Sequence, residues 1–283
     1  MHRLHAAPAA ARVSAAARRD VRYGADLAAR LHLPACAGPF PALISVHGGS
    51  WCHGDRLMHE RTLERLAGRG IASMAIDFRM PPQARYPEPI ADVAAAFAWL
   101  SRNAGRLSID AGLIGGIGFS SGAHQLLLAA LRPGDPRWSA GPVECAVLVA
   151  AFPVTDPLAR YRMARAHSLS PLVDAHLAYW PSEQAMAEGS PQRLVESGEA
   201  ERLPPLLVLQ GTADENLTDD MAARFVEAYR DAGGEATLAL FEGEPHGFID
   251  RSPDSAASRR ALDLIVEHAG LANPATERAG LQA

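Results

Sequence analysis

The stretch Gly112-Leu113-Ile114-Gly115-Gly116-Ile117-Gly118-Phe119-Ser120-Ser121-Gly122-Ala123-His124-Gln125-Leu126-Leu127-Leu128-Ala129-Ala130-Leu131-Arg132 decides how the rest of the chain is read. Residues 112–117 form a short apolar run that suits a buried strand. Residues 123–132 are good helix formers throughout, so the predicted order is strand, sharp turn, helix. The turn carries a G-x-S-x-G pentapeptide, Gly118 to Gly122. A serine in that context is held in a strained backbone conformation that lifts its hydroxyl clear of the sheet, and the next amide N–H opens a helix. Gly118 and Gly122 lack a Cβ, which lets strand and helix crowd together on either side. The register selects Ser120, because Ser121 as centre would need glycine at 119 and 123, which hold Phe and Ala. A Gly/Ser turn without chemistry is the bland alternative, and the flanking strand and helix argue against it.

Outward from this point the pattern repeats. Asp20–Gly24 and Leu27–Leu33 alternate in polarity and predict an antiparallel edge hairpin. Phe40–Val46, Ile71–Phe78, Val143–Phe152, Leu206–Gln210 and Ala236–Phe241 are apolar runs of strand length. Helical spacing separates them at residues 60–69, 90–100, 218–232 and 255–268. Strands buried on both faces and alternating with helices predict an α/β fold with a mostly parallel sheet covered on both sides. Residues 153–203 break the alternation: they are long, polar, carry Met, Tyr and Trp, and hold no strand pattern. They are expected to form a small helical cap over the carboxyl edge of the sheet, where open α/β sheets bind ligands. The expected organisation is an N-terminal extension at 1–19, disordered or loosely helical, one domain over 20–270 with the cap at about 153–203, and a tail at 271–283.

The bulk properties narrow the function. With 283 residues, 48% hydrophobic and 21% charged, the chain can bury a full core. A net charge of −5 offers no basic field for nucleic acid or an anionic membrane. The three cysteines, Cys36, Cys52 and Cys145, make neither a disulfide framework nor a zinc spacing, so a reduced, cytoplasmic setting is expected. No apolar run reaches the ~18 residues of a membrane span. Met1–Arg19 is rich in Ala and Arg and free of acidic residues, yet lacks the apolar core of a signal peptide. No metal or cofactor is implied: His47, His53 and His59 recur every six residues, which suits neither a helix face nor a metal clamp. A homodimer is compatible with this composition.

A serine hydroxyl is a weak nucleophile at neutral pH and needs a base in hydrogen-bond reach, with a third group to orient that base. Two late loops follow strand ends and offer both: Gln210-Gly211-Thr212-Ala213-Asp214 and Glu244-Pro245-His246-Gly247-Phe248. Glu215 is a rival acid beside Asp214. Asp219 and Asp220 fall in the first turn of the next helix, where the dipole alone accounts for them. His124 sits on the helix after the pentapeptide and reads better as a packed residue than as the base. Acyl transfer also needs N–H donors for a developing oxyanion. The Ser121 N–H is one, and the loop His47-Gly48-Gly49-Ser50-Trp51 after the first central strand is placed to supply another from Gly48, Gly49 or Ser50.

With these residues assembled, the chain resembles the α/β-hydrolase superfamily, and within it the HGG-motif esterases around hormone-sensitive lipase, bacterial acetyl esterases and kynurenine formamidase. The similarity covers roughly residues 20–270. It rests on His47-Gly48-Gly49-Ser50-Trp51 with Gly54-Asp55, Asp77-Phe78-Arg79-Met80-Pro81, Pro87 and Asp92, Gly211-Thr212-x-Asp214, and His246-Gly247-Phe248. The glycine loop is Gly-Gly-Ser where many lipases have three glycines, and Leu217 stands where Val usually follows the acid. The resemblance implies Ser120 as nucleophile, Asp214 as acid, His246 as base, and Gly48, Gly49 and Ser121 as oxyanion donors. It implies no cofactor.

The expected activity is hydrolysis of small acyl or aryl esters through an acyl-enzyme, with a small-molecule ester as partner. Amide or formamide hydrolysis is the alternative from the same machinery, and a non-catalytic ligand-binding member of the fold is the alternative from another class. The substrate pocket is expected to be lined by Trp51, Phe119, Phe152 and Leu217, with cap aromatics such as Tyr179 and Trp180. Nothing in residues 153–203 names the substrate.

Overall fold

The computed structural model describes residues 17–138 and 143–271. Their centre is an eight-stranded sheet in the order β1-β2-β4-β3-β5-β6-β7-β8. The strands are β1 (Ala17–Arg22), β2 (Ala28–Leu33), β3 (Phe40–Val46), β4 (Ala72–Ile76), β5 (Ile109–Phe119), β6 (Leu148–Ala151), β7 (Leu206–Gly211) and β8 (Ala236–Phe241). β2 runs antiparallel to both β1 and β4, and every other neighbouring pair is parallel. This is the mostly parallel sheet read from the apolar runs, with the antiparallel hairpin at one edge.

The helices are α1 (Glu60–Ala67), α2 (Glu88–Asn103), α3 (Ser121–Leu131), α4 (Pro157–Ala166), α5 (Ser170–Tyr179), α6 (Glu183–Glu188), α7 (Pro191–Glu196), α8 (Met221–Asp231), α9 (Phe248–Arg251) and α10 (Ala256–Leu271). All of α3 is buried, which explains why it has no polar face: it packs on β5 and against α2. Leu43, Ile44 and Val46 of β3, Met74 and Ile76 of β4, and Leu148 and Val149 of β6 lie in the same core as Leu126, Leu127 and Leu128 of α3. Each fully buried side chain of this size contributes roughly 1.5–3 kcal/mol relative to exposure.

Two stretches differ from the sequence reading. Strand β1 begins at Ala17, inside the 1–19 extension expected to be disordered or loosely helical. Ionic contacts order it where apolar periodicity is missing: Arg18 reaches Glu60 and Glu64 of α1, and Asp20 pairs with Arg30 of β2 at 2.8 Å. The rest of the expected extension, 1–16, and residues 272–283 of the expected tail lie outside the described residues. Strand β6 holds only Leu148–Ala151 of the apolar run 143–152. Residues 146 and 147 bond to Ile114 and Gly116 on β5 before the regular ladder starts. Between β6 and β7, where the alternation failed, the chain forms the four helices α4 to α7 and no strand.

Candidate active site

The strand β5 ends at Phe119 and the helix α3 begins at Ser121, leaving Ser120 alone between them. Its backbone stands at φ 54° and ψ −117°, a conformation that costs a non-glycine residue on the order of 1–3 kcal/mol. The surroundings hold it there. The Ser120 N–H donates to the Ala151 carbonyl on β6 at 2.9 Å, and its carbonyl accepts from His124 and Val154. The flanking glycines are required sterically. A Cβ on Gly122 would lie 2.2 Å from the His47 carbonyl oxygen, and one on Gly118 would lie 2.4 Å from Ala123 Cα.

The loops after β7 and β8 bring the other two groups. His246 Nε2 lies 2.9 Å from Ser120 Oγ, across 126 residues of sequence. His246 Nδ1 lies 2.7 Å from Asp214 Oδ2. The carboxylate can only accept, so Nδ1 carries the proton and Nε2 faces the serine hydroxyl as acceptor. Asp214 is further held by Gln210 Nε2 at 2.9 Å on Oδ2 and by the Asn216 N–H at 2.9 Å on Oδ1. Burial pushes its pKa up, but the hydrogen bonds from His246, Gln210 and Asn216, with the attraction of the imidazole, hold it below the usual carboxylate range. Of the rival acids, Glu215 is exposed on the same loop, and Asp219 and Asp220 are exposed before α8.

The glycine loop follows β3 and closes beside the serine. Gly49 has φ 101°, and a Cβ there would lie 2.0 Å from the His53 carbonyl oxygen. Gly48 packs directly on the serine turn, with Phe119 O 3.1 Å and Ser120 Cβ 3.3 Å from where its Cβ would be. The backbone N–H groups of Gly48, Gly49 and Ser121 take no acceptor among the described residues. The loop is fixed from behind. His47 stacks on Phe78 with ring centres 4.3 Å apart, and Ser121 Oγ accepts the Trp51 N–H at 3.0 Å. The adjacent Asp77-Phe78-Arg79 segment is pinned by ion pairs, Asp77 to Arg56 at 2.7 Å and Arg79 to Asp92 at 2.8 Å.

A cavity of about 390 Å³ opens over Ser120. Gly48, Gly49, Ser50, Phe119, Phe152 and His246 are on its wall, as are Met58, His59, Arg160, Leu172, Asn216, Gly247, Asp250 and Arg251. Phe152, with φ 42°, lays its ring 4.9 Å from the His246 ring. Trp51 and Leu217, which the sequence reading set in the pocket, are not on this wall. Trp51 is completely buried in a cage of Tyr179, Trp180, His124 and His176. Tyr179 and Trp180 serve that cage instead of the cavity. Leu217 is buried in the core. His124 accepts the Trp51 indole N–H at 3.1 Å on Nδ1 and faces the Gly189 carbonyl at 2.8 Å with Nε2, so neither nitrogen is free for Ser120. Desolvation lowers its pKa to about 3, which keeps the ring neutral.

Several wall residues had no signal in the sequence. His59 bonds to Asp250 at 2.6 Å across 191 residues and stacks on Phe119 at 3.6 Å. Arg160 and Leu172 come from α4 and α5, a region with no matching pattern. Only the position of Asp250 and Arg251, just after the His246 loop, could have pointed to them.

Comparison with known proteins supplies the family. The BD-FAE family model matches residues 31–228. The chain belongs to the BD-FAE family. This BD-FAE member is 32% identical over 254 residues to esterase LipC of Mycobacterium tuberculosis, covering 82% of this chain and 60% of that protein. It is 26% identical over 260 residues to an ethyl acetate hydrolase of Pseudomonas putida, covering 87% of this chain and 79% of that protein. The chain spans about half to three-fifths of the first curated relatives it matches, 60% of LipC and 46% of the probable carboxylic ester hydrolase LipM of Mycobacterium tuberculosis. Among solved structures, the carboxylesterase EstE1 from a metagenomic library superposes with a TM-score of 0.77 at 24% identity, over 92% of this chain and 90% of that one. Esterase 2 of Thermogutta terrifontis superposes with a TM-score of 0.74 at 22% identity, over 92% and 96%. These likenesses establish the α/β-hydrolase fold. Among the described residues no helix is long and apolar enough to cross a membrane.

Proposed function

We propose that the protein is a serine carboxylic-ester hydrolase for small acyl or aryl esters. The observation that carries this reading is the chain of contacts Ser120 Oγ, His246 Nε2, His246 Nδ1, Asp214 Oδ2 at 2.9 and 2.7 Å under an open cavity. The relatives named above as esterases and ester hydrolases support it.

In this reading Ser120 Oγ attacks the ester carbonyl carbon while His246 Nε2 takes the hydroxyl proton. Asp214 keeps the imidazole in the right tautomer and favours its cation as it forms. The carbonyl oxygen becomes an oxyanion that accepts from the Ser121 N–H and from Gly48 or Gly49. Collapse breaks the ester C–O bond, and His246 gives its proton to the departing alkoxide, which leaves as the alcohol. Water then attacks the acyl-enzyme with His246 taking its proton. The acid leaves, and the proton returns to Ser120 Oγ. No metal or cofactor is needed for any step. Helices α4 to α7 act as a cap, since α4 and α5 supply Arg160 and Leu172 to the wall. The thiols of Cys36, Cys52 and Cys145 are free, which suits a reducing, cytoplasmic setting.

The test is turnover of p-nitrophenyl acetate beside N-formylkynurenine, with fluorophosphonate labelling of the folded protein. Ester turnover and a single adduct on Ser120 are expected. Formamide turnover exceeding ester turnover would move the assignment to amide chemistry, and absence of any adduct would leave a binding protein on a hydrolase fold.

A further inference from the structure

Arg160 projects from α4, is 1% exposed, and is one of the residues on the cavity wall. Its Nε donates to the Asn216 carbonyl at 3.0 Å and its Nη2 to Ser50 Oγ at 3.2 Å, and both of these residues also face the cavity. The Trp51 ring lies 5.6 Å from its Cζ. Its Nη1 has no hydrogen-bond partner among the described residues. No carboxylate there forms an ion pair with it. Asp214 attracts it through space only, because that carboxylate already accepts from His246, Gln210 and Asn216.

A buried cation without a paired anion is costly, and removal from water draws the Arg160 pKa down to about 10. The two neutral contacts it makes do not require a charge, since a glutamine amide donates as well to a hydroxyl or a carbonyl. A second guanidinium, Arg251, lies exposed on the same wall and forms no ion pair among the described residues. The acidic side chain on the wall is occupied: Asp250 accepts from Thr62 at 2.7 Å and holds His59 at 2.6 Å. With the two guanidiniums of Arg160 and Arg251 against the one carboxylate of Asp250, the wall is net positive, and one of its guanidiniums is a planar fork with one donor group unused. Such a fork matches a carboxylate in charge and in shape.

We propose that the cavity selects esters carrying a free carboxylate near the scissile carbonyl, with Arg160 binding the carboxylate and Arg251 drawing it in. This names the substrate class of the ester-hydrolase site proposed above and rests on that reading. The carboxylate supplies the counterion that Arg160 lacks among the described residues.

The experiment uses two matched pairs of esters: p-nitrophenyl hydrogen succinate against p-nitrophenyl butyrate, and 4-carboxyphenyl acetate against phenyl acetate. In the native protein the charged member of at least one pair is preferred in kcat/KM. Arg160→Met lowers that charged-to-neutral ratio by about tenfold or more, chiefly through KM, as expected on removing one side of a buried charge pair. Arg251→Gln lowers it by a few-fold and weakens its dependence on salt. Should the Met variant not fold, Arg160→Lys decides. It keeps the charge without the fork, so the ratio falls if a carboxylate sits on Nη1 and stays constant if Arg160 only braces Ser50 and Asn216. Equal losses on both members of both pairs would overturn the proposal, as would native preference for the neutral members.

Calorimetric binding of monomethyl succinate to the Ser120→Ala protein separates this from the catalytic reading. If no ester is cleaved but that binding is seen and is lost with Arg160→Met, the hydrolase reading fails and the carboxylate site stands. If esters are cleaved but the monoester binds no better than methyl butyrate, the reverse holds.

Discussion

The hydroxyl of Ser121 accepts the backbone N–H of Trp51 at 3.0 Å and so ties the residue after the central serine to the glycine loop. One side chain thereby sets the distance between the two backbone segments that flank the Ser120 hydroxyl. Replacing Ser121 with alanine leaves a buried N–H without an acceptor, at a cost of about 1–3 kcal/mol in stability. The Ser121 N–H itself remains, but the glycine loop loses its tether. Turnover of p-nitrophenyl acetate is expected to fall mainly in kcat, with thermal unfolding shifted down by several degrees. A fall confined to KM would mean that the tether positions substrate instead of the oxyanion donors.

Asp214 and Glu215 are neighbours in sequence with opposite surroundings. Asp214 is buried and bonded to His246, while Glu215 is exposed. Asp214→Asn keeps a side chain of the same shape but no longer fixes the protonated Nδ1. By analogy with serine triads, kcat is expected to fall on the order of 10⁴-fold. Glu215→Gln should alter stability by no more than about 0.5 kcal/mol and leave turnover intact. Steady-state kinetics of the two variants side by side check this, and a larger loss from Glu215→Gln would reassign the acid.

The ease of reading differed sharply between these features, for physical reasons. Ser120, Asp214 and His246 sit in short loops at strand ends, where glycine and strand signals are local and mark the position in the sequence itself. Their meeting at one sheet edge follows from parallel strand order. Arg160 and His59 carry no such local mark. Arg160 matters because α4 points it at Ser50 and Asn216, and His59 matters because α9 returns Asp250 to it from a distance of 191 residues. The place of Trp51 is hard to read for a related reason. An aromatic after a glycine loop suits a pocket wall and a core equally well, and the cage of Tyr179, Trp180, His124 and His176 that settles the matter is assembled from the region with no pattern. The start of strand β1 has no sequence mark because its side chains are exposed and it is held by ion pairs to other elements.

Buried neutral histidines give the fold an acid-sensitive range above that of its carboxylates. Desolvation lowers the pKa of His32, His47 and His176 to about 4 and that of His124 to about 3. The unfolded chain protonates each near pH 6.5, whereas the folded protein resists until pH 3 to 4. Each group's stability contribution is thus complete above about pH 6.5 and is lost progressively below it, at up to about 1.4 kcal/mol per pH unit. Denaturant midpoints should begin to fall near pH 6.5, before the carboxylates titrate. His32 gives the clean test, since neither ring nitrogen has a partner among the described residues. His32→Phe is expected to be neutral or stabilising at pH 7.5 and to flatten the decline between pH 6.5 and 4. An unchanged slope would show that His32 is hydrated and protonates freely in the folded state.

Gly122 and Gly105 make a steric contrast that tests the packing under the serine. A Cβ on Gly122 would meet the His47 carbonyl oxygen at 2.2 Å and the Val46 carbonyl oxygen at 2.3 Å, where β3 becomes the glycine loop. Both are backbone atoms, one at the end of a central strand and one in the loop that follows it, so no side chain can swing aside to relieve the clash. Gly122→Ala must push α3 away from β3, which costs about 1–3 kcal/mol or more and widens the gap between Ser121 and Gly48. A methyl on Gly105, in the short helical turn after α2, meets nothing within 4 Å. Gly105→Ala should be neutral or raise stability by about 0.4–1 kcal/mol by restricting the unfolded chain. Urea midpoints and p-nitrophenyl acetate turnover of the pair check this. The Gly122 variant should lose activity beyond its loss of stability, because its strain falls on the contact between the serine turn and the glycine loop. If Gly122→Ala kept native turnover, the serine turn and the glycine loop could not be packed so closely that an added Cβ would fall 2.2 Å from the His47 carbonyl oxygen.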